Sequence, residues 1–194
     1  MEALTRRLIR LLALLVVTTF AQASPTTAVL AQGARDGNAA AWAISVESPT
    51  GWTRDCCTYA HAIGVNAVLY RGEWTGKPQR VMVLNVWPRK LPSLAAEIQA
   101  DRQRYGKLDP RGKTSNFSVQ QPDMACEASI HEGSDRVDDV LVFCDPGRAS
   151  GIRLGWSMSL DDNDASSQAL LDAFMRVVVA SRYQRVVAPA AHDR

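Results

Sequence analysis

The beginning of the chain, residues 1–23, decides how much of the sequence takes part in the fold. Three arginines within residues 6–10 precede the apolar run 11–17, and a small-x-small site ends at Ala23. A basic region, a short apolar stretch and such a site are typical of a secretory signal peptide. The apolar run is too short for a permanent membrane anchor, which needs about 20 residues. We therefore expect cleavage between Ala23 and Ser24.

Export determines how the four cysteines are interpreted. In an oxidising compartment, disulfides are expected rather than metal ligation. Cys126 and Cys144 lie in the two predicted strands of one hairpin, whose centre is Asp135. Residues equally far from a hairpin turn face each other, so this spacing favours a Cys126–Cys144 disulfide. Cys56 and Cys57 then form a bridge between neighbours or stay free thiols. The alternative is that each of them pairs with one distant cysteine.

Apolar and polar residues alternate in most of the chain as they do in β-strands. The predicted strands are 43–49, 65–71, 80–87, 115–120, 126–131, 137–144 and 151–160. One helix is expected from the N-cap Ser93 to Gly106, and a second from the acidic run 161–164 to about Tyr183. Hairpins dominate, and strands and helices do not alternate regularly. The pattern predicts an α+β fold with a mostly antiparallel sheet of about six to seven strands flanked by two main helices.

The same pattern sets the expected domain boundaries. Residues 24–41 are small, polar and aperiodic, and are predicted to be a flexible lead-in without regular structure. Residues 42–184 are expected to form one domain, since their number suits a single core. Residues 185–194 are expected to be a frayed tail.

The order of these segments resembles the PsbP-like fold, a group that includes the bacterial DcrB-like proteins. The resembling segments are ISVESPTGW, VNAVLYRGEW, VMVLNVW, LPSLAAEIQADRQRY, GIRLGWSMSL and ALLDAFMRVVVASRY. In addition, WTRD at residues 52–55 followed by GVNAVLY at 64–70 is similar to exported DcrB-like proteins of uncharacterised function. The resemblance spans roughly residues 42–183. It implies an α/β/α sandwich, binding or assembly roles, and no shared catalytic motif.

The chain departs from these relatives in two ways. Many bacterial members are lipoproteins, but no cysteine follows the leader here, so no acyl anchor is expected after cleavage. The pair Cys56 and Cys57 also stands where the relatives typically lack cysteines.

Several short patterns suggest chemistry, but each has a simpler interpretation. Residues 155–159 (GWSMS) lie within a predicted strand and lack the second glycine of a nucleophile elbow. Residues 161–164 lack the glycine and the glutamate of a calcium loop, so helix capping is favoured. Cys56, Cys57 and His61 would suit a soft metal ion if their segment were helical, but a disulfide and a surface histidine are favoured, since the chain has no CxxC or HxxxH motif. We therefore predict no catalytic residue, no cofactor and no bound metal.

Charge and aromatic content narrow the function further. The chain has 22 basic and 20 acidic side chains, and the leader accounts for the whole excess. A neutral mature chain lacks the positive surface of a nucleic-acid-binding protein. The prediction is a periplasmic or secreted, non-enzymatic protein that binds another envelope or secreted protein.

Trp74, in a predicted loop, is the candidate contact residue. The alternative is that it folds back over the sheet edge.

Two other functions stay open. One is an immunity protein that inhibits a secreted toxin, which tight one-to-one inhibition would identify. The other, least favoured, is a hydrolytic enzyme. It would require a polar pocket that joins His61 or His131 to a carboxylate.

Overall fold

The computed structural model describes residues 27–37, 39–74 and 80–186. The strands are β1 (Thr27–Gly33), β2 (Trp42–Glu47), β3 (Trp52–Asp55), β4 (Ala67–Arg71), β5 (Arg80–Pro88), β6 (Lys113–Ser118), β7 (Ala125–Glu132), β8 (Val137–Asp145), β9 (Ile152–Asp161) and β10 (Arg182–Arg185). The helices are α1 (Tyr59–Ala62), α2 (Leu94–Leu108) and α3 (Ser167–Ala180).

The strands form two antiparallel sheets. The larger has seven strands in the order β3-β4-β5-β9-β8-β7-β6, and the smaller has three in the order β1-β2-β10. The predicted α+β class, with a mostly antiparallel sheet and two main helices, is therefore confirmed. Strand β5, predicted as residues 80–87 and apolar on both faces, lies in the interior of the larger sheet as expected.

The larger sheet forms the middle layer of the fold. Successive side chains of a strand point to opposite faces, so the sheet can pack against other elements on both sides. On one face, Leu154 and Trp156 pack with Phe174 of α3 and with Ile44 of the smaller sheet. On the other face, Leu141 and its neighbour two residues on, Phe143, pack with α2. Helix α2 thus covers part of one face, with the short α1 near the opposite edge, whereas α3 and the smaller sheet cover the other face.

Helix α2 begins where the sequence predicts and ends later. Ser93 is the N-cap, and its hydroxyl accepts the N–H of Ala96 at 3.1 Å. The prediction that Gly106 terminates the helix is wrong, because the helix continues to Leu108. A proline disfavours helical backbone in the residue before it. Pro110 therefore keeps Asp109 out of the helix, which ends at Leu108.

Replacing Ser93 with alanine is expected to lower the free energy of unfolding by about 1 kcal/mol, since an N–H of the first turn loses its acceptor. Urea unfolding followed by circular dichroism measures the difference. Ser93→Asp keeps an acceptor at this position and is the control, with little expected loss. Equal losses for the two variants would mean that the cap does not stabilise α2.

Three strands lie where none was predicted. One is β3, which pairs with β4 at the edge of the larger sheet. The other two, β1 and β10, belong to the smaller sheet. β1 occupies part of the predicted lead-in 24–41 and pairs with one side of β2. β10 pairs with the other side of β2, so the predictions of a helix to Tyr183 and of a tail from 185 need correction. The helix ends at Ala180 because Ser181 adopts extended backbone. Strands β1 and β10 both depend on pairing with β2, a contact that local sequence patterns do not report.

Candidate functional site

Four polar side chains form a row across the face of the larger sheet that α2 covers. His131 of β7 is paired with Thr114 of β6 and with Asp139 of β8. Asp139 is in turn paired with Ser159 of β9. Cross-strand partners point to the same face. The Thr114 Oγ1 atom lies 2.7 Å from His131 Nδ1, and the Ser159 hydroxyl donates to Asp139 Oδ1. We call these four residues the polar row.

Helix α2 adds Asp101 and Tyr105 to the polar row. They are four residues apart, so they lie on the same side of the helix. The Tyr105 ring stacks on the His131 imidazole, with ring centroids 3.7 Å apart and an interplanar angle of 9°. His131 Nε2 lies 3.5 Å from Asp101 Oδ2. His131 is therefore enclosed between a hydroxyl, a carboxylate and an aromatic ring, and is 5% exposed.

Burial dominates the electrostatics of this cluster. It lowers the pKa of His131, although the charges of Asp101 and Asp139 oppose the shift. It also raises the pKa of the Tyr105 phenol, an effect that the charge of Asp139 strengthens. His131 Nε2 and Asp101 Oδ2 are both buried without a hydrogen-bond partner among the described residues. The neutral imidazole with its proton on Nε2 suits both neighbours, because Nδ1 then accepts the hydroxyl proton of Thr114.

The lowered pKa of His131 predicts a loss of stability in acid. Since the folded pKa lies below the ordinary value of 6.5, the unfolded chain binds the proton more readily. The free energy of unfolding is therefore expected to fall as the pH drops through 6.5 toward the folded pKa. Urea titrations at pH values on both sides of 6.5 measure the slope. His131→Gln should flatten it, whereas the variant of the exposed His61, His61→Gln, should not. Equal slopes in both variants would contradict the prediction.

A cavity of about 510 Å³ lies beside the polar row and is bordered by Thr114, His131 and Tyr105. The side chains Thr114, His131 and Asp101 follow one another in the order hydroxyl, imidazole, carboxylate. Nucleophilic catalysis uses groups of these types in this order. The structure thus provides the pocket that the enzyme alternative required at His131, while His61 is exposed on α1.

Three aromatic side chains pack together on the same sheet face, near the opposite edge. Trp74 stacks on Tyr59 with ring centroids 4.7 Å apart, and meets Tyr70 edge-on at 5.3 Å. Tyr70 is almost fully buried, whereas Tyr59 and Trp74 stay half-buried. We call these residues the aromatic cluster. Trp74 therefore lies back against the sheet edge, the alternative arrangement considered above, and its role as a contact residue stays a prediction.

The sheet between the aromatic cluster and α2 carries a strip of half-buried side chains. Helix α2 packs on β7 and β8, and the neighbouring strands β5 and β9 present Val81, Val83 and Ser157. Val81 is paired with Tyr70, so the strip adjoins the aromatic cluster. A cavity of about 450 Å³ lies over the strip and reaches Tyr105 of α2. We call Val81, Val83 and Ser157 the open strip.

All four cysteines are in disulfides. Cys126 and Cys144 face each other in the β7–β8 pair and are bonded, which confirms the cross-strand disulfide. Cys56 is bonded to its neighbour Cys57, so neither reaches a distant cysteine.

The remaining predictions concern metals, membranes and processing. Within residues 27–37, 39–74 and 80–186, no group of three or more histidine, cysteine or acidic side chains is placed to hold a metal ion. No helix of these ranges is long and apolar enough to cross a membrane. The predicted cleavage site between Ala23 and Ser24 lies outside the described residues.

The polar row was not found from the sequence, although a signal for it was present. The hairpin centre that pairs Cys126 with Cys144 also pairs His131 with Asp139, since each lies four residues from Asp135. Which residues of α2 would cover this pair depends on how the helix docks, and sequence spacing does not report that.

Comparisons with known proteins find a distant structural similarity. The structure is similar to the solution structure of cyanobacterial PsbP (CyanoP) from Synechocystis sp. PCC 6803, with a TM-score of 0.48 and 7% sequence identity. The similarity covers 86% of this chain and 98% of that chain. At this TM-score and identity, the similarity carries no conclusion about family or activity. No protein-family model and no curated protein matches the chain. The DcrB-like resemblance stays a prediction.

Proposed function

We propose that the protein is a non-enzymatic binding or assembly protein of the periplasm or the extracellular space. Its partner would be another envelope or secreted protein, held by the aromatic cluster and the open strip. The observation that carries the proposal is the uneven covering of one sheet face. Helix α2 packs on β7 and β8, whereas Tyr59, Trp74 and the open strip stay half-buried on the same face.

The chemistry of this surface suits protein contacts. Tryptophan and tyrosine are enriched among the residues that contribute most to binding free energy. Trp74 is already held by Tyr59 and Tyr70, so a partner need not order it, and less side-chain entropy is lost on binding. Val81 and Val83 extend the apolar surface next to the aromatic rings. The two disulfides suit a protein that works in an oxidising compartment.

Site-specific photo-crosslinking tests the proposal. A benzophenone amino acid replaces Trp74 in the full chain, which is expressed in its native host and irradiated. Mass spectrometry is expected to identify one envelope or secreted protein joined at this position. The control places the same amino acid at Val29, which is 52% exposed on β1 of the smaller sheet. No adduct at position 74, or the same adducts at both positions, would reject the surface.

A hydrolytic enzyme is the second candidate, and the arrangement of Thr114, His131 and Asp101 is the observation in its favour. It ranks second because the Tyr105 ring covers His131, so a substrate reaches Thr114 only from the cavity beside it. Hydrolysis of p-nitrophenyl esters by the protein and by Thr114→Val distinguishes the two functions. The binding proposal predicts no turnover that depends on Thr114. For an immunity role, the captured partner would be a toxin, and this protein would inhibit it in a one-to-one complex.

A further inference from the structure

We propose that the Cys56–Cys57 disulfide is a site of thiol–disulfide exchange, and that its reduction rearranges the aromatic cluster. Cys57 is exposed and Cys56 is half-buried, in the bend between β3 and α1. In the other disulfide, Cys144 is fully buried and Cys126 half-buried, on two paired strands. A thiol in solution therefore reaches the first bridge while the second is still protected by the fold.

The bridge is physically connected to the aromatic cluster. It closes a small ring around one peptide bond, immediately before α1. The Asp55 carboxylate spans this ring: one oxygen accepts the N–H of Thr58 at 3.2 Å, and the other accepts the N–H of Ala60 at 2.8 Å. Thr58 itself supplies no side-chain cap. The short helix α1 is thus oriented by Asp55 and by the ring, and it carries Tyr59 against Trp74.

Electrostatics supports the importance of this carboxylate. Burial acts to raise the pKa of Asp55, but the backbone N–H groups of Ala60, Thr58 and their neighbours lower it below its ordinary value. These donors therefore stabilise the charged form of Asp55 in the closed arrangement. Opening the ring returns backbone freedom to residues 56 and 57, which the disulfide had removed. The hydrogen bonds to Asp55 and the position of Tyr59 then lose part of their support.

The exchange needs a dithiol as the reductant. Its thiolate attacks one sulfur of the bridge, the Cys56–Cys57 bond breaks, and the departing sulfur leaves as a thiolate that takes up a proton. The second thiol of the reductant attacks the mixed disulfide, releases the other cysteine and forms the oxidised, disulfide form of the reductant. The bridge gains two electrons and two protons, and the dithiol loses both.

Graded reduction of the full chain with dithiothreitol tests the site. Samples are alkylated at each concentration, and mass spectrometry measures the modified fraction of each cysteine. Cys56 and Cys57 are expected to react at a concentration about tenfold or more below the one needed for Cys126 and Cys144. Reaction of all four together would overturn the proposed site.

Tryptophan fluorescence measured on the same samples tests the coupling. The emission is expected to change as the first bridge opens, and the change should be absent in Trp74→Phe. Without any dithiol, the variant Cys56→Ser/Cys57→Ser should show the same emission as the protein whose first bridge is reduced. Circular dichroism reports whether this variant keeps the fold. An emission that stays constant during reduction of the first bridge would overturn the coupling. The proposal stands or fails independently of whether the aromatic cluster binds a partner.

Discussion

Replacing Glu97 with alanine is expected to lower the free energy of unfolding by about 3–5 kcal/mol. The Arg153 side chain on β9 is fully buried and donates to the Glu97 carboxylate of α2 at 2.7 Å. Asp145 is its other carboxylate partner, at 3.3 Å, and that residue also pairs with Arg89 at 2.7 Å. Without Glu97, a buried guanidinium keeps only the longer contact, and the cost of its burial is no longer offset.

Gln99 offers a matched control for this substitution, because it lies on the same helix and is exposed. Gln99→Ala is expected to change the free energy of unfolding, measured in urea, by less than about 0.5 kcal/mol. Replacing both Glu97 and Arg153 by methionine should recover much of the loss, since no unpaired charge is then buried. Similar values for Glu97→Ala and Gln99→Ala would show that the ion pair does not hold α2 on the sheet.

The second large effect is expected for Trp156→Ala, which should lower the free energy of unfolding by about 3–5 kcal/mol. Trp156 is fully buried in β9, where its cross-strand partners are Leu84 of β5 and Val142 of β8. It lies in the core between the larger sheet and α3. Alanine therefore removes apolar contacts with the two neighbouring strands and leaves a cavity that these strands cannot easily close.

Phenylalanine at position 156 is the control for this effect, because it keeps most of the apolar volume. Its loss is expected to be clearly smaller than that of alanine. Both are measured by urea unfolding monitored by far-ultraviolet circular dichroism. A loss below about 1 kcal/mol for Trp156→Ala would contradict the claim that burial of Trp156 is a main source of stability in this core.

The parts of the fold that depend on local pattern could be predicted from the sequence. The strand that became β5 is apolar on both faces, as an interior strand is, and Ser93 has a side chain suited to the cap it forms. β1 and β10 could not be predicted, because their residues pair with β2 from distant positions of the chain. Their own sequences, TAVLAQG and RYQR, carry no clear strand pattern. The end of α2 was misplaced because glycine at 106 suggested a stop that Pro110 supplies later.

In the candidate sites, too, features that depend on local sequence could be predicted, whereas features that depend on packing between distant elements could not. The Cys126–Cys144 bridge followed from the symmetry of one hairpin, a local relation. The position of Tyr105 over His131, and that of Tyr59 against Trp74, depends on how a helix packs on the sheet. Such contacts are decided by packing in three dimensions, which the spacing of residues along the chain does not contain.

The central claim, that the aromatic cluster binds the partner, is tested most directly by the dissociation constant of the partner found by crosslinking at position 74. Isothermal titration calorimetry would compare the unchanged protein with Trp74→Ala and Val29→Ala. We expect Trp74→Ala to raise the dissociation constant about 30-fold, which corresponds to about 2 kcal/mol. Val29→Ala should leave it within about twofold. The same dissociation constant for all three proteins would contradict the claim.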